Sequence, residues 1–121
     1  MSEIPPTDRL FNLTSLKNLS RGNIEFMEKM VSIFIELSTD TIEKASTAIS
    51  QNNFIEVSRL IHKLKPSVET LGITSIIPKL KLLEEIAIET EDKEQITALF
   101  GVIKEVLEKA VIQLKENKIE N

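Results

Sequence analysis

The sequence predicts an all-α fold: an antiparallel four-helix bundle with short additional N-terminal helices. Two observations predict it. Apolar residues recur at three-and-four spacing through nearly all of the chain, which is the period of a helix with one buried face. The 121 residues include only three Gly and four Pro, with five Phe and no Trp or Tyr, a composition suited to helices with few turns. The polar breaks between the periodic stretches are short, so neighbouring helices should pack antiparallel.

Residues 1–12 read as a flexible tail, since Pro5-Pro6 discourages regular structure, and residues 13–121 as one domain. Leu13, Leu16 and Leu19 mark a short helix ended by Ser20-Arg21-Gly22. From Asn23 to about Leu37, Ile24, Met27, Met30, Val31, Phe34 and Ile35 form a broad apolar face. Ser38-Thr39-Asp40 then offers N-cap chemistry, and Asp40 with Glu43 predicts a new helix over about 40–51, carrying Ile42, Ala45, Ala48 and Ile49.

Asn53 and Glu56 have the spacing of a capping box and start the next helix, which Gly72 would stop in a left-handed conformation. After Ile73, Thr74 or Ser75 is the expected cap of a helix that tolerates Pro78 in its first turn. Its buried side would be Ile76, Ile77, Leu80, Leu83, Ile86 and Ala87. Asp92 with Gln95 would cap the last helix, where apolar residues recur from Ile96 to Leu114. Gly101 inside that run suggests close helix contact, against a cost of about 1 kcal/mol relative to Ala.

Composition narrows the function. A net charge of −4 argues against nucleic acid as a partner, because phosphate backbones need a basic face. No apolar run is long enough to span a bilayer, and the start lacks the pattern of an export signal, so no membrane and a cytoplasmic location are expected. With no Cys there is neither thiol chemistry nor a disulfide. One His and no Cys make a metal site a poor reading. The acidic run Glu84, Glu85, Glu89, Glu91, Asp92 lacks the Glu-x-x-His pairs of di-iron bundles and reads as a solvated helix end. Neither a Gly-rich phosphate loop nor a Ser-His-Asp signature is present, so no ATP site is expected.

The single histidine, His62, lies in the helix between Asn53 and Gly72. Val57, Leu60, Ile61, Leu64, Val68 and Leu71 share one stripe there, and His62 projects roughly 150° from its centre, toward solvent. A lone surface histidine is ordinarily just a polar residue. His62-x-Leu64-Lys65-x-Ser67, followed by Leu71-Gly72, outweighs that reading. These residues match in type and spacing the motif of the histidine-containing phosphotransfer (HPt) family, which this segment resembles. The helical pattern extends the similarity over roughly residues 13–117. The departure is Pro66, where the family usually has Gly; proline removes the hydrogen bond to the His62 carbonyl.

The resemblance implies a phosphocarrier in a two-component phosphorelay, and not an autonomous enzyme. His62 is then the phosphoacceptor, through Nε2, from a phospho-aspartate on a response-regulator receiver domain. Its partners are receiver domains, a hybrid histidine kinase, or both. Cofactors are expected only on the partner, as Mg²⁺ in the receiver domain. Neutral imidazole, with an ordinary pKa of about 6.5, can attack without a general base. Lys65, one turn on and roughly 60° round, can reach the phosphoryl oxygens. Arg59, about 60° to the other side, is the weaker candidate, and a solvated, idle role is the simpler one for it. Ser67 faces away from His62 and should pack or bond internally.

Ile55, Ser58, Pro66 and Glu69 share the histidine's face and, with Arg59, form the expected docking surface; Ile55 is the one apolar member. A monomer is expected, because the chain has enough helices to close a bundle alone. One rival is an adaptor of the same fold that carries no phosphate. Another is a dimeric phosphotransferase, whose central bundle would need helices from two chains.

Overall fold

The computed structural model describes residues 8–119, and among these there is no strand. The helices are α1 (Thr14–Ser20), α2 (Ile24–Ser50), α3 (Phe54–Thr70), α4 (Ile77–Glu89) and α5 (Lys93–Glu116), with a 3₁₀ turn over Thr74–Ile76 before α4. Helices α2 to α5 form the bundle: α3 packs on α2 and α4, and α5 closes the ring against both. The expected all-α bundle is therefore what the chain forms.

The core is where the periodicity places it. Met27, Val31 and Phe34 of α2, Val57, Leu60, Ile61, Leu64 and Val68 of α3, Leu80 and Leu83 of α4, and Ile96, Ile103 and Leu107 of α5 are all buried. Covering these faces supplies most of the stability of such helices, since in proteins helical stability comes mainly from packing an amphipathic face.

The front of the bundle differs from expectation in two ways. A single 27-residue helix, α2, replaces the two helices predicted to meet at Ser38-Thr39-Asp40. Ser38 and Thr41 lie on the core face and are buried, where their small side chains fit between helices. The Thr39 hydroxyl donates back to the Ile35 carbonyl, 2.9 Å away, and Asp40 pairs with Lys44 on the next turn. Residues able to cap were thus absorbed into a continuous helix. Among the described residues one α-helix, α1, precedes α2; its Leu16 is buried but Leu19 is exposed.

The segment expected as tail is also partly built in. Residues 1–7 lie outside the described residues, but 8–12 pack on the bundle, with Phe11 buried. The Leu10 amide donates to Gln113 Oε1 at 2.8 Å, Gln113 Nε2 donates to the Asp8 carbonyl at 2.9 Å, and the Asn12 amide donates to the Leu71 carbonyl at 3.0 Å.

The caps are mixed. Asp92 Oδ1 accepts from the amides of Glu94 and Gln95, as expected. Asn53 Oδ1 accepts from the Glu56 amide at 3.3 Å, yet Glu56 turns to Arg59 instead of reaching back, so the box is half formed. Neither Thr74 nor Ser75 caps α4, which enters through the 3₁₀ turn with Pro78 in its first turn. Gly72 ends α3 at φ +65°. Gly101 is exposed, with nothing within 4 Å of where a Cβ would sit, so close helix contact is not its role.

Candidate functional site

Helix α3 anchors the site because its back is fixed in the core. Val57, Leu60, Ile61, Leu64 and Val68 are all buried, which leaves His62 on the opposite side with its ring 71% exposed. Pro66, four residues on, is exposed and does not end the helix, which continues to Thr70; the Thr70 hydroxyl donates to the Pro66 carbonyl. The backbone bond that would fasten the His62 carbonyl to residue 66 is absent by chemistry, since proline has no N–H.

The imidazole does not stand free in solvent. His62 Nδ1 lies 2.5 Å from Glu84 Oε1, across the seam between α3 and α4. The other oxygen of the same carboxylate, Oε2, accepts from Lys65 Nζ at 3.2 Å. Lys65 and Glu84 are both largely covered, at 24% and 22% side-chain exposure. One carboxylate therefore bridges the two residues that the HPt motif singles out.

Burial pushes the Glu84 carboxyl up, but the bonds from Lys65 and His62 outweigh it and hold the group below its ordinary value of 4.5. At neutral pH Glu84 is then ionised and can only accept. It follows that Nδ1 carries a proton and donates it to Glu84, so that in the neutral ring the lone pair is on Nε2.

A carboxyl with a depressed folded pKa stabilises the fold above its unfolded pKa, near 4.5, and that contribution is lost as pH falls through the lower folded value. The unfolding free energy of wild type relative to Glu84→Gln is expected to stay level down to about pH 4.5 and to shrink below it. Denaturant titrations at intervals of pH check this, and a difference that does not change below pH 4.5 would contradict it.

Glu84 is the site residue that sequence reasoning missed, by leaving it in the acidic run. The available signal was the helical hairpin itself. His62 and Glu84 are each eleven residues from Ile73, at the turn between α3 and α4. Folding the pair of helices about that turn sets them opposite one another.

The other candidates separate clearly. Ser58, expected on the docking face, is 5% exposed, and its Oγ donates to the Glu84 carbonyl at 2.9 Å. It fastens α3 to α4 and, being nearly covered, leaves little surface for a partner. Arg59 is exposed but is not brought to His62. Its guanidinium grips Glu56 in a fork, Nε to Oε1 at 2.6 Å and Nη2 to Oε2 at 2.7 Å, one turn toward the start of the helix. Ile55, Pro66 and Glu69 are exposed, Ile55 at 72%. Ile88, one turn past Glu84 on α4, is exposed as well and was not anticipated. Ser67 is half-buried.

A groove between α3 and α4 is lined by Ser58, Lys65, Lys81, Glu84, Glu85, Ile88 and Glu89, with His62 bonded to its Glu84 wall. No helix among the described residues is long and apolar enough to cross a membrane.

The family model described as Hpt domain matches residues 29–117. That span takes in most of α2, all of α3 and α4, and α5, and it includes His62, Lys65 and Glu84. No curated protein and no solved structure matches the chain.

Proposed function

Because the chain belongs to the Hpt domain family, we propose that it is a histidine phosphocarrier of a two-component phosphorelay, with His62 as the residue that carries the phosphoryl group between receiver-domain aspartates. The observation that carries this reading is the Nδ1–Glu84 bond, which leaves Nε2 with a free lone pair on an exposed ring.

The step balances without a general base. The Nε2 lone pair attacks phosphorus of a receiver's phospho-aspartate; the Nε2–P bond forms as the P–O acyl bond breaks, and aspartate leaves as carboxylate. The ring proton stays on Nδ1, so the phosphorylated ring is cationic and faces the Glu84 carboxylate. On transfer onward the Nε2–P electrons return to the ring, which departs neutral. No proton is moved in either direction. Glu84 acts as a positioning group that fixes the tautomer and balances charge on the ring. Lys65, already held beside it, supplies positive charge to phosphoryl oxygens.

Mg²⁺ and the groups that hold it are assigned to the receiver, and no cofactor to this chain. Ile55, Pro66 and Glu69 are the proposed docking positions, with the exposed rim of Arg59 beside them. Ser58 drops out because it is buried. A cytoplasmic monomer serving receivers, a hybrid kinase or both fits this role.

The test is incubation with receiver domains pre-phosphorylated by a small-molecule donor. Acid-labile, alkali-stable phosphate on this chain is the expected result. A second reading, a phosphate-free adaptor, rests on the Pro66 ring, one turn from the imidazole on the same exposed face. Receiver binding with no phosphate gained would select it.

A further inference from the structure

Lys81 lies on α4 one turn before Glu84 and lines the same groove as Lys65. Lys65 and Lys81 are each eight residues from Ile73, so the hairpin that sets Glu84 opposite His62 sets Lys81 level with the His62–Lys65 turn. Glu85 and Ile88, four and seven residues on from Lys81, line the groove with it, which places all three on the face of α4 toward α3.

The two lysines differ in one respect. Lys65 is tied to Glu84, while Lys81 makes no ion pair among the described residues. A phosphoryl group on Nε2 brings up to two negative charges to a place where one carboxylate already draws on Lys65. Full neutralisation needs a further cation within reach of the seam. Lysine suits the task because its ammonium rides on a flexible four-carbon stem and acts as a point charge.

Resting on the phosphocarrier reading, we propose that Lys81 is a second phosphate-binding residue, which contacts the phosphoryl group on His62 from α4 while Lys65 contacts it from α3. The acceptor histidine would then be served by cations from both helices of the hairpin.

The experiment is direct labelling of the full chain with phosphoramidate, which transfers its phosphoryl group to imidazole and releases ammonia, so that no partner need be known. Wild type is compared with His62→Gln, Lys81→Ala, Lys81→Arg and Lys79→Ala, the last an exposed lysine on α4 outside the groove lining. Labelling that depends on His62, slows about five-fold in Lys81→Ala, recovers in Lys81→Arg and is unchanged in Lys79→Ala is the expected result. Thermal unfolding should be the same for all the lysine variants.

His62-dependent labelling at equal rates in wild type and Lys81→Ala overturns the role of Lys81 and leaves the phosphocarrier reading standing. Equal slowing by Lys79→Ala also overturns it, because overall charge would then account for the effect. No labelling of wild type, or equal labelling of His62→Gln, overturns the phosphocarrier reading and Lys81 with it.

Discussion

Glutamine in place of His62 is expected to abolish phosphoryl uptake from a phosphorylated receiver, to below about a thousandth of the wild-type rate, with the helices intact. The amide of glutamine offers no nitrogen lone pair for attack, because that pair is delocalised into the carbonyl. The chain has no second imidazole and no thiol to take its place. The fold should be indifferent to the change: the ring is 71% exposed, and its one bond is to a carboxylate that Lys65 also holds. Radiolabel transfer measures the loss and circular dichroism the retained helix. Label persisting at a comparable rate would move the acceptor elsewhere.

The largest effect on stability is expected from Gly72→Ala. Residue 72 sits at φ +65°, which costs an L-residue roughly 1–2 kcal/mol. A Cβ there would also lie 2.7 Å from the Asn12 amide nitrogen and closer still to the Asn12 carbonyl oxygen, both of them backbone. Residue 12 cannot easily yield, because its amide bonds the Leu71 carbonyl. Together strain and overlap should destabilise by about 3 kcal/mol, a fall in Tm of more than about 10 °C. Gly101→Ala is the counterpart. It lies in the exposed interior of α5, with open space where the methyl would go, and should stabilise by about 0.5–1 kcal/mol. Thermal scans of the two variants should shift in opposite directions. A common direction would contradict the account of both glycines.

Those two glycines also show what the sequence could convey. Gly72 was legible because it follows a finished apolar stripe, where a left-handed stop is the usual way to end a helix. Gly101 interrupts a stripe, and nothing local says whether a neighbour approaches it; here none does. The same limit explains Ser38-Thr39-Asp40. Those residues favour caps, but cap and helix interior differ by only about 1 kcal/mol, less than burying the face of a long helix contributes. Tertiary packing decided in favour of one helix.

At the site, the faces of the residues on the motif side of α3 could be read: His62 outward, Leu64 and Val68 inward, Lys65 one turn on. What lay across the seam could not be read from periodicity, because a helical period assigns a residue to a face without saying which charge it meets. Glu84 therefore looked like one of several surface acids, and Ser58 looked exposed until α4 covered it. Arg59 was decided by a competitor: Glu56, three residues before it as His62 is three after, offers a carboxylate that takes both of its bonds.

The bonds that join residues 8–12 to Gln113 and Leu71 set an order of events. As the chain emerges from synthesis, Leu10 must wait for a partner about a hundred residues later. Because loop closure grows only slowly with length, at about 0.6 kcal/mol per doubling, the wait costs time more than stability. Until Gln113 arrives, the Leu10 amide lacks its acceptor and Asn12 can hold only the end of α3. The hairpin of α3 and α4, which carries His62 and Glu84, is meanwhile already complete in sequence. The hairpin that holds the candidate site is thus complete in sequence before the contact that fastens the N-terminal segment to α5.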